Sequence, residues 1–353
     1  MTFFEKGDFF PFFLFFDMIK RAEETMNFEK IEQAYDLILE NIQLIENELK
    51  THLYDALIEQ NSFYLGEEGA SEEVAANNDK LRQLQLSQEE WRRAFQFIFI
   101  KAAQTEQLQA NHQFTPDSVG FILLFLVESL TAPDTVDVLE IGSGTGNLAE
   151  TLLTNSSKTL NYLGIEVDDL LIDLSASIAE VMGSSAQFIQ EDAVRPQILK
   201  ESDVIISDLP VGFYPNDAIA KRYQVASNKE HTYAHHLLME QSLKYLKKDG
   251  LAIFLAPSDL LTSPQSDLLK EWLKGYADVI AVITLPETLF GSAASTKSIF
   301  VFKKQSTHPV ETFVYPLVDL KEKAVFCLLY TSPIPRDSTS ARIPASAWKK
   351  QRG

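Results

Sequence analysis

The segment Val138-Leu139-Glu140-Ile141-Gly142-Ser143-Gly144-Thr145-Gly146-Asn147 constrains this chain more than any other. Its apolar start reads as a buried strand. The three glycines read as a turn whose backbone a ligand can approach where side chains would block it, and a helix follows from about Leu148. A strand, turn and helix of this kind belong in a mostly parallel sheet covered on both faces. The sequence supplies the partners, with further strands read at 162–166, 186–190, 204–207, 251–255, 279–284 and 299–302, separated by helical text. Counting 136–141, seven strands fit one doubly wound α/β sheet. Ligands of such sheets sit beyond the carboxyl ends of the strands, where strand order reverses.

The residues that follow each strand therefore carry the chemistry. A dinucleotide-binding turn would place glycine at position 147; asparagine stands there, and the spacing is G-x-G-x-G with Glu140 two residues before the first glycine. Glu166 ends the second strand, twenty residues after Gly146, where a carboxylate can accept the hydroxyls of a ribose. Asp192 follows the third strand and can accept from an adenine amino group. Any one of these acids alone reads as a solvated loop residue. Three at consecutive strand ends, beside a glycine turn, read as a nucleoside site.

With 353 residues, 45% of them apolar, the chain is long enough for one large α/β domain and a smaller one. Its single cysteine, Cys327, has no partner within the chain, and a reducing cytoplasm is the expected compartment. No apolar run approaches the roughly 20 residues of a membrane span. Charge is strongly acidic, with 31 Lys and Arg against 50 Asp and Glu and a net charge of -19. That balance opposes non-specific binding to nucleic acid, which rests on cations that displace counterions from phosphate.

Both ends read differently from the body. Residues 1–25 hold eight phenylalanines without helical period, Ala22-Glu23-Glu24-Thr25 resembles a translated ribosome-binding site, and Met26 is the expected start. Residues 327–353, opening Cys327-Leu-Leu-Tyr-Thr-Ser332, resemble a translated transposon end followed by vector read-through. Without the two ends the charge is -21, so the acidity belongs to the body.

Residues 26–110 read as a helical domain. Ile31, Leu37, Ile38, Ile42, Ile45 and Leu49 form a stripe at helical spacing, 66–78 reads as a loop, and a second helix carries Trp91, Phe95, Phe97 and Ile98. The stripe reads first as a cap packed on the larger domain, and second as a surface for a protein partner or dimer.

In the body, 111–326, the motifs resemble class I S-adenosylmethionine-dependent methyltransferases, and within them the N6-adenine DNA methylases. The resemblance is to the methylase subunits of type I restriction systems and to YtxK-like orphan methylases. It implies a Rossmann-like sheet with S-adenosyl-L-methionine as cofactor, held by Glu140, Gly142, Gly144 and Gly146 at the methionine, Glu166 at the ribose and Asp192 at the adenine. Asn111-His112-Gln113-Phe114-Thr115-Pro116 resembles the family's F-x-T-P segment, which assigns Phe114, Thr115 and Pro116 to the cofactor as well. Thr115 reads as a helix cap, with Pro116 in the first turn.

The fourth strand leads into Asp208-Leu209-Pro210-Val211-Gly212-Phe213-Tyr214-Pro215, where the family carries its catalytic D/N-P-P-Y/F. The Asp208 carboxylate, which also borders the cofactor, and the Leu209 carbonyl are acceptors for a planar amino group, and Pro210 completes the turn. Val211 replaces the aromatic that stacks on the target base, and Phe213 or Tyr214 is the expected substitute. Further on, His231, His235 and His236 read as helix-surface histidines with no metal site, on a helix ending at Lys247-Lys248-Asp249-Gly250. Leu285-Pro286-Glu287-Thr288-Leu289-Phe290-Gly291 reads as structural.

The sequence-level expectation is therefore an N-methyltransferase of adenine-methylase type, with DNA as partner only weakly unless another protein supplies positive surface. The alternatives are an RNA base or protein glutamine as acceptor, or a non-catalytic cofactor-binding regulator. Lys221 and Arg222 are a basic pair after the catalytic loop, and read as ordinary surface charge.

Overall fold

The computed structural model describes residue 20 and residues 26–105, 115–229, 231–289, 296–305 and 312–317. The expectations for the leader beyond residue 20, for the boundary at 110, for Phe114, for Phe290 and Gly291, and for the tail 327–353 lie outside the described residues.

Four helices come first: α1 (Phe28–Leu49), α2 (Leu53–Leu65), α3 (Glu72–Gln83) and α4 (Gln88–Thr105). Local chemistry sets their limits. Asn27 caps α1 by accepting from the amides of Glu29 and Lys30, and α1 stops where Lys50 turns left-handed at φ 56°. Much of the stretch read as a loop, 66–78, is helical. Ser71 accepts from the Val74 amide, Glu72 and Glu73 favour the positive end of the helix dipole, and the buried face of α3 consists of Val74, Asn77, Asn78 and Leu81. The polar composition hid this helix because half of that face is asparagine. Its amides pair inside: Asn77 Nδ2 donates to Asn41 Oδ1 at 3.0 Å and Gln60 Nε2 to Asn78 Oδ1 at 2.7 Å.

The remainder is α5 (Asp117–Leu130), β1 (Thr135–Ile141), α6 (Asn147–Asn155), β2 (Thr159–Glu166), α7 (Asp169–Met182), β3 (Gln187–Gln190), β4 (Ser202–Asp208), α8 (Asp217–Ala220), α9 (Ala234–Leu243), β5 (Leu246–Pro257), α10 (Ser266–Leu273), β6 (Ala277–Thr284), a 3-10 turn (Glu287–Leu289), β7 (Lys297–Lys304) and β8 (Phe313–Pro316). The strands form one sheet in the order β3-β2-β1-β4-β5-β7-β6-β8. β1 pairs in parallel with β2 and with β4, so strand order reverses between β1 and β4. β7 is antiparallel to both β5 and β6. The eighth strand, parallel to β6 and ending in Pro316, lies beyond the seven read from the sequence.

Two further expectations are corrected. α9 ends at Leu243, and Lys247 to Gly250, read as the end of the helix with glycine as its stop, belong to β5, where Asp249 has a left-handed φ of 63°. His235 and His236 are 4% and 0% exposed, so they are core residues of α9, while His231 lies at the surface and pairs with Asp217 at 2.8 Å.

Strand alternation divides the core. Val136, Val138, Val204 and Ile206 face α5 and α6, whereas Leu139, Ile141, Ile205 and Phe254 face α9 and α10. A third cluster joins Ile38, Ile42, Ile45, Leu57, Phe95 and Ile98 to Leu171, Leu174 and Ile178 of α7. The apolar stripe of α1 is thus largely buried within the molecule, as the cap reading required. Each such aliphatic side chain contributes roughly 1.5–3 kcal/mol on burial.

A buried quartet of charges fastens α4 to the start of α5. Arg92 donates to Glu89 at 2.6 Å and to Asp117 at 2.9 Å, and Arg93 to the same two carboxylates at 2.9 and 2.6 Å, with every side chain at most 6% exposed. Burial pushes the Asp117 carboxyl up, but Arg92 and Arg93 outweigh it and hold it below its ordinary value; Glu89 behaves alike. Groups with depressed folded values contribute stability above their unfolded range, at about pH 4, and lose it as pH falls through the folded value. Arg92→Met leaves two buried carboxylates to one arginine and is expected to lower the free energy of unfolding by about 3–5 kcal/mol at pH 7. Urea denaturation measures this, and an unchanged midpoint counts against the clamp.

Candidate active site

The glycine turn lies at the carboxyl end of β1, at the reversal of strand order. Gly142, Gly144 and Gly146 have φ of 71°, 54° and 76°, a region that L side chains rarely adopt. Their surroundings differ. A Cβ on Gly142 or Gly144 would meet nothing within 4 Å, so these two backbones border open space. A Cβ on Gly146 would stand 2.9 Å from Ser175 Cβ and 3.2 Å from the Phe188 ring, so the third glycine permits close packing under the turn.

Glu166, at the end of β2, holds the turn in place. Its carboxylate accepts from the Gly144 amide at 2.8 Å, from Val167 at 2.8 Å and from Asp168 at 3.0 Å. Backbone bonds from the Gly142 and Ser143 amides to the Ile165 carbonyl, at 2.8 and 3.0 Å, add the second clasp between the two strand ends. Glu140 lies beneath, 2% exposed, receiving the Tyr162 hydroxyl at 2.9 Å. Burial pushes its carboxyl well above the ordinary value, and the negative charges of Glu166, Asp208 and Glu150 push the same way against the Tyr162 hydrogen bond.

Asn147 explains its own departure from glycine. Its Nδ2 donates to the Thr115 carbonyl at 2.8 Å, joining the start of α6 to the segment before α5. Thr115 does not cap α5; Pro116 occupies that position with no side-chain cap bond, and the Thr115 hydroxyl donates instead to Asp208 Oδ2 at 3.2 Å. Thr115 therefore touches both the glycine turn and the end of β4.

At that end, Lys297 Nζ donates to Asp208 Oδ1 and, at 3.2 Å, to the Leu209 carbonyl. Leu209 is fully buried and its amide pairs with the Leu255 carbonyl at 2.9 Å, which fixes the turn against β5. Beyond it, Val211 and Phe213 are 57% and 51% exposed. Phe213 stacks on Tyr233 with ring centroids 4.9 Å apart at 7°, and Tyr233 on His235 at 5.1 Å and 18°. Burial pushes the His235 imidazole down to about 4, against a hydrogen bond to the Pro210 backbone, so the ring is neutral at pH 7. Tyr214 turns away from this column, and its hydroxyl donates to Asp192 Oδ2 at 2.6 Å. Arg195 approaches the same oxygen at 3.3 Å.

The structure thus gathers Thr115, Glu140, the three glycines, Glu166 and Asp208 around one cleft end. It sets Phe213 on an aromatic column beside Leu209 and Pro210, and gives Tyr214 to Asp192. Sequence reasoning missed Asn147, Tyr233, His235 and Lys297; Asn147 alone carried a signal, standing where the dinucleotide pattern wants glycine. Among the described residues, no group of three or more His, Cys, Asp or Glu could hold a metal ion.

This strand order with its glycine turn defines the class I methyltransferase fold. A Listeria monocytogenes protein described as a candidate class I S-adenosylmethionine-dependent methyltransferase superposes with a TM-score of 0.77 at 28% identity, over 85% of this chain and 97% of that one. The chain belongs to the N-6 DNA methylase family, whose profile matches residues 87–325. It is 34% identical over 276 residues to the uncharacterized protein YtxK of Bacillus subtilis, covering 75% of this chain and 83% of that protein. A Vibrio vulnificus chain, described as a modification subunit of a candidate type I restriction enzyme, shares the fold at a TM-score of 0.55 and 17% identity, over 71% of this chain and 57% of its own.

The contrast between the glycines is testable. Gly146→Ala meets Ser175 and is expected to cost about 2–4 kcal/mol from strain and overpacking together. Gly142→Ala meets no neighbour and is expected to cost about 1–2 kcal/mol from its backbone conformation alone. Equal losses in urea denaturation would contradict the packing role of Gly146.

Proposed function

We propose that the protein transfers a methyl group from S-adenosyl-L-methionine to a planar primary amine held by Asp208 and the Leu209 carbonyl, with adenine in nucleic acid as the acceptor. One observation carries the reading: two fixed acceptor oxygens stand at the end of β4, with an exposed aromatic face beside them and a glycine cradle across the reversal point.

The residues present suit the cofactor. The open backbones of Gly142 and Gly144 leave room that any Cβ would take up. The carboxylates nearby favour a sulfonium and an ammonium over an anionic ligand. Thr115, Pro116, Glu140 and the glycines would hold the methionine part, Glu166 the ribose and Asp192 the adenine. Of about four lone-pair sites on a carboxylate, Glu166 spends three on backbone amides, which aims the group and leaves one for a hydroxyl. When bound, the cofactor supplies an electrophilic methyl on a positively charged sulfur.

The chain's own work is orientation. N–H donation into Asp208 and the Leu209 carbonyl localises the lone pair of a flat amine and fixes its direction. The Asp208 charge stabilises the positive charge that develops on the nitrogen. Phe213, backed by Tyr233 and His235, offers its face to a base, an interaction worth roughly 1–3 kcal/mol. Phe213 rather than Tyr214 is the stacking residue, because Tyr214 is engaged with Asp192.

The decisive experiment incubates the protein with methyl-labelled cofactor and a cell lysate, then treats portions with DNase, RNase or protease. Label lost to a nuclease supports the nucleic-acid acceptor, and label lost only to protease overturns it. Asp208→Ala is expected to lower transfer at least about 100-fold while calorimetric affinity for S-adenosylhomocysteine persists. Phe213→Ala is expected to raise KM for the acceptor about tenfold with a smaller change in kcat.

A further inference from the structure

The nitrogen of Lys297 stands where an acceptor nitrogen belongs. It donates to Asp208 Oδ1 and to the Leu209 carbonyl, the same two oxygens that the preceding reading assigns to the incoming amine. The Lys297 and Asp208 side chains are 18% and 22% exposed, so the pair is largely withdrawn from water. The backbone fixes the root of the lysine, since Lys297 opens β7 opposite Pro257 at the end of β5. Thr115 donates to the other oxygen of Asp208, so each carboxylate oxygen has a donor without any ligand.

The lysine and an acceptor amine cannot use this pair together. Both oxygens keep spare lone pairs, but Nζ already stands within hydrogen-bond distance of the two at once, where an acceptor nitrogen would have to stand, and a nitrogen that gains positive charge during methyl transfer is opposed by an ammonium at hydrogen-bond distance. We propose that Lys297 is the resident occupant of the acceptor-nitrogen subsite and a specificity-determining residue: a planar primary amine enters only by displacing it. An acceptor must therefore contribute binding energy outside the amino group, through stacking on Phe213 or through charge that draws the ammonium away. A small amine offering two N–H bonds alone does not outcompete the ion pair, because charge-assisted hydrogen bonds are about twice as strong as neutral ones. This inference rests on Asp208 and Leu209 being the acceptor pair.

The experiment is calorimetry on the full chain saturated with S-adenosylhomocysteine, which fills the nucleoside pocket so that added probes report on the acceptor subsite. The probes are adenosine, for a base, and N-acetylglutamine amide, for a protein side chain. Lys297→Met and Lys297→Ala both leave the two oxygens without their donor, and the alanine variant serves should the methionine variant fail to fold. Both are expected to bind one probe at least about tenfold more tightly than the unmodified protein, since buried acceptors left unpaired favour a ligand that satisfies them. Lys297→Arg retains the charge and is expected to bind as weakly as the unmodified protein. Variants that bind S-adenosylhomocysteine normally yet show no gain for either probe overturn the proposal. So does a methyl group found by mass spectrometry on Lys297 after incubation with S-adenosyl-L-methionine, which makes the lysine a substrate and not an occupant. Failure of the unmodified protein to bind S-adenosylhomocysteine removes the cofactor reading itself and this inference with it, a result distinct from unchanged probe affinity.

Discussion

The clasp between Glu166 and the glycine turn is the constraint on which the cleft depends. A turn with three left-handed residues has few side chains to hold its shape, and glycine loses more conformational freedom on folding than any other residue. Three amide bonds into one carboxylate, drawn from both the turn and the residues after β2, offset that loss and fix the distance between two parallel strand ends. Because β1 also pairs with β4, the position of Asp208 is set from the same strand. Ser207 reinforces the link, its hydroxyl donating to the Ile141 carbonyl at 2.6 Å. The parallel sheet thus delivers the carboxyl ends of β1, β2 and β4 to one place.

That concentration has an electrostatic consequence. Glu140, Glu166 and Asp208 converge from adjacent strands, and the charges of the other two add to burial in pushing the Glu140 carboxyl well above its ordinary value. Such a site is costly to leave without positive charge. Within the structure, Lys297 meets the need at Asp208, while Glu140 receives the hydroxyl of Tyr162. The protein's overall acidity has a local counterpart here, where excess negative charge favours a cationic ligand and does nothing to attract phosphate.

What the sequence made legible follows from how directly a residue's role depends on local pattern. The glycine turn, the first seven strands and the acids at the ends of β2 and β4 are set by period and position along single segments, and the structure keeps them. α3 escaped because buried asparagines look like a polar loop until Asn41 and Gln60 arrive from other helices to pair with Asn77 Nδ2 and Asn78 Oδ1. His235 and His236 read as surface residues because their burial depends on β5 and the loop after β4. Thr115 looked like a cap because Thr-Pro before an apolar run has that local chemistry; its hydroxyl instead finds Asp208, 93 residues away. Lys297 had no local signature at all. A lysine beginning an apolar strand is ordinary, and only the antiparallel placement of β7 beside β5 brings it to the loop after β4.

Thr115 also decides how the N-terminal helices relate to the site. Two residues after it, Asp117 is gripped by Arg92 and Arg93 of α4. Its carbonyl holds Asn147 at the head of α6, and its hydroxyl holds Asp208. A path of contacts therefore runs from α4 through one short segment to both the glycine turn and the acceptor pair. Buried ion pairs contribute little net stability compared with apolar packing of the same volume, so stability alone is a weak reason for placing four charges there. Positioning is the better reason: bidentate arginine pairs fix direction as well as distance, and the direction of Asp117 sets where Thr115 can reach. The helices are on this account part of the support of the site, since the segment they grip is the one that touches both of its halves.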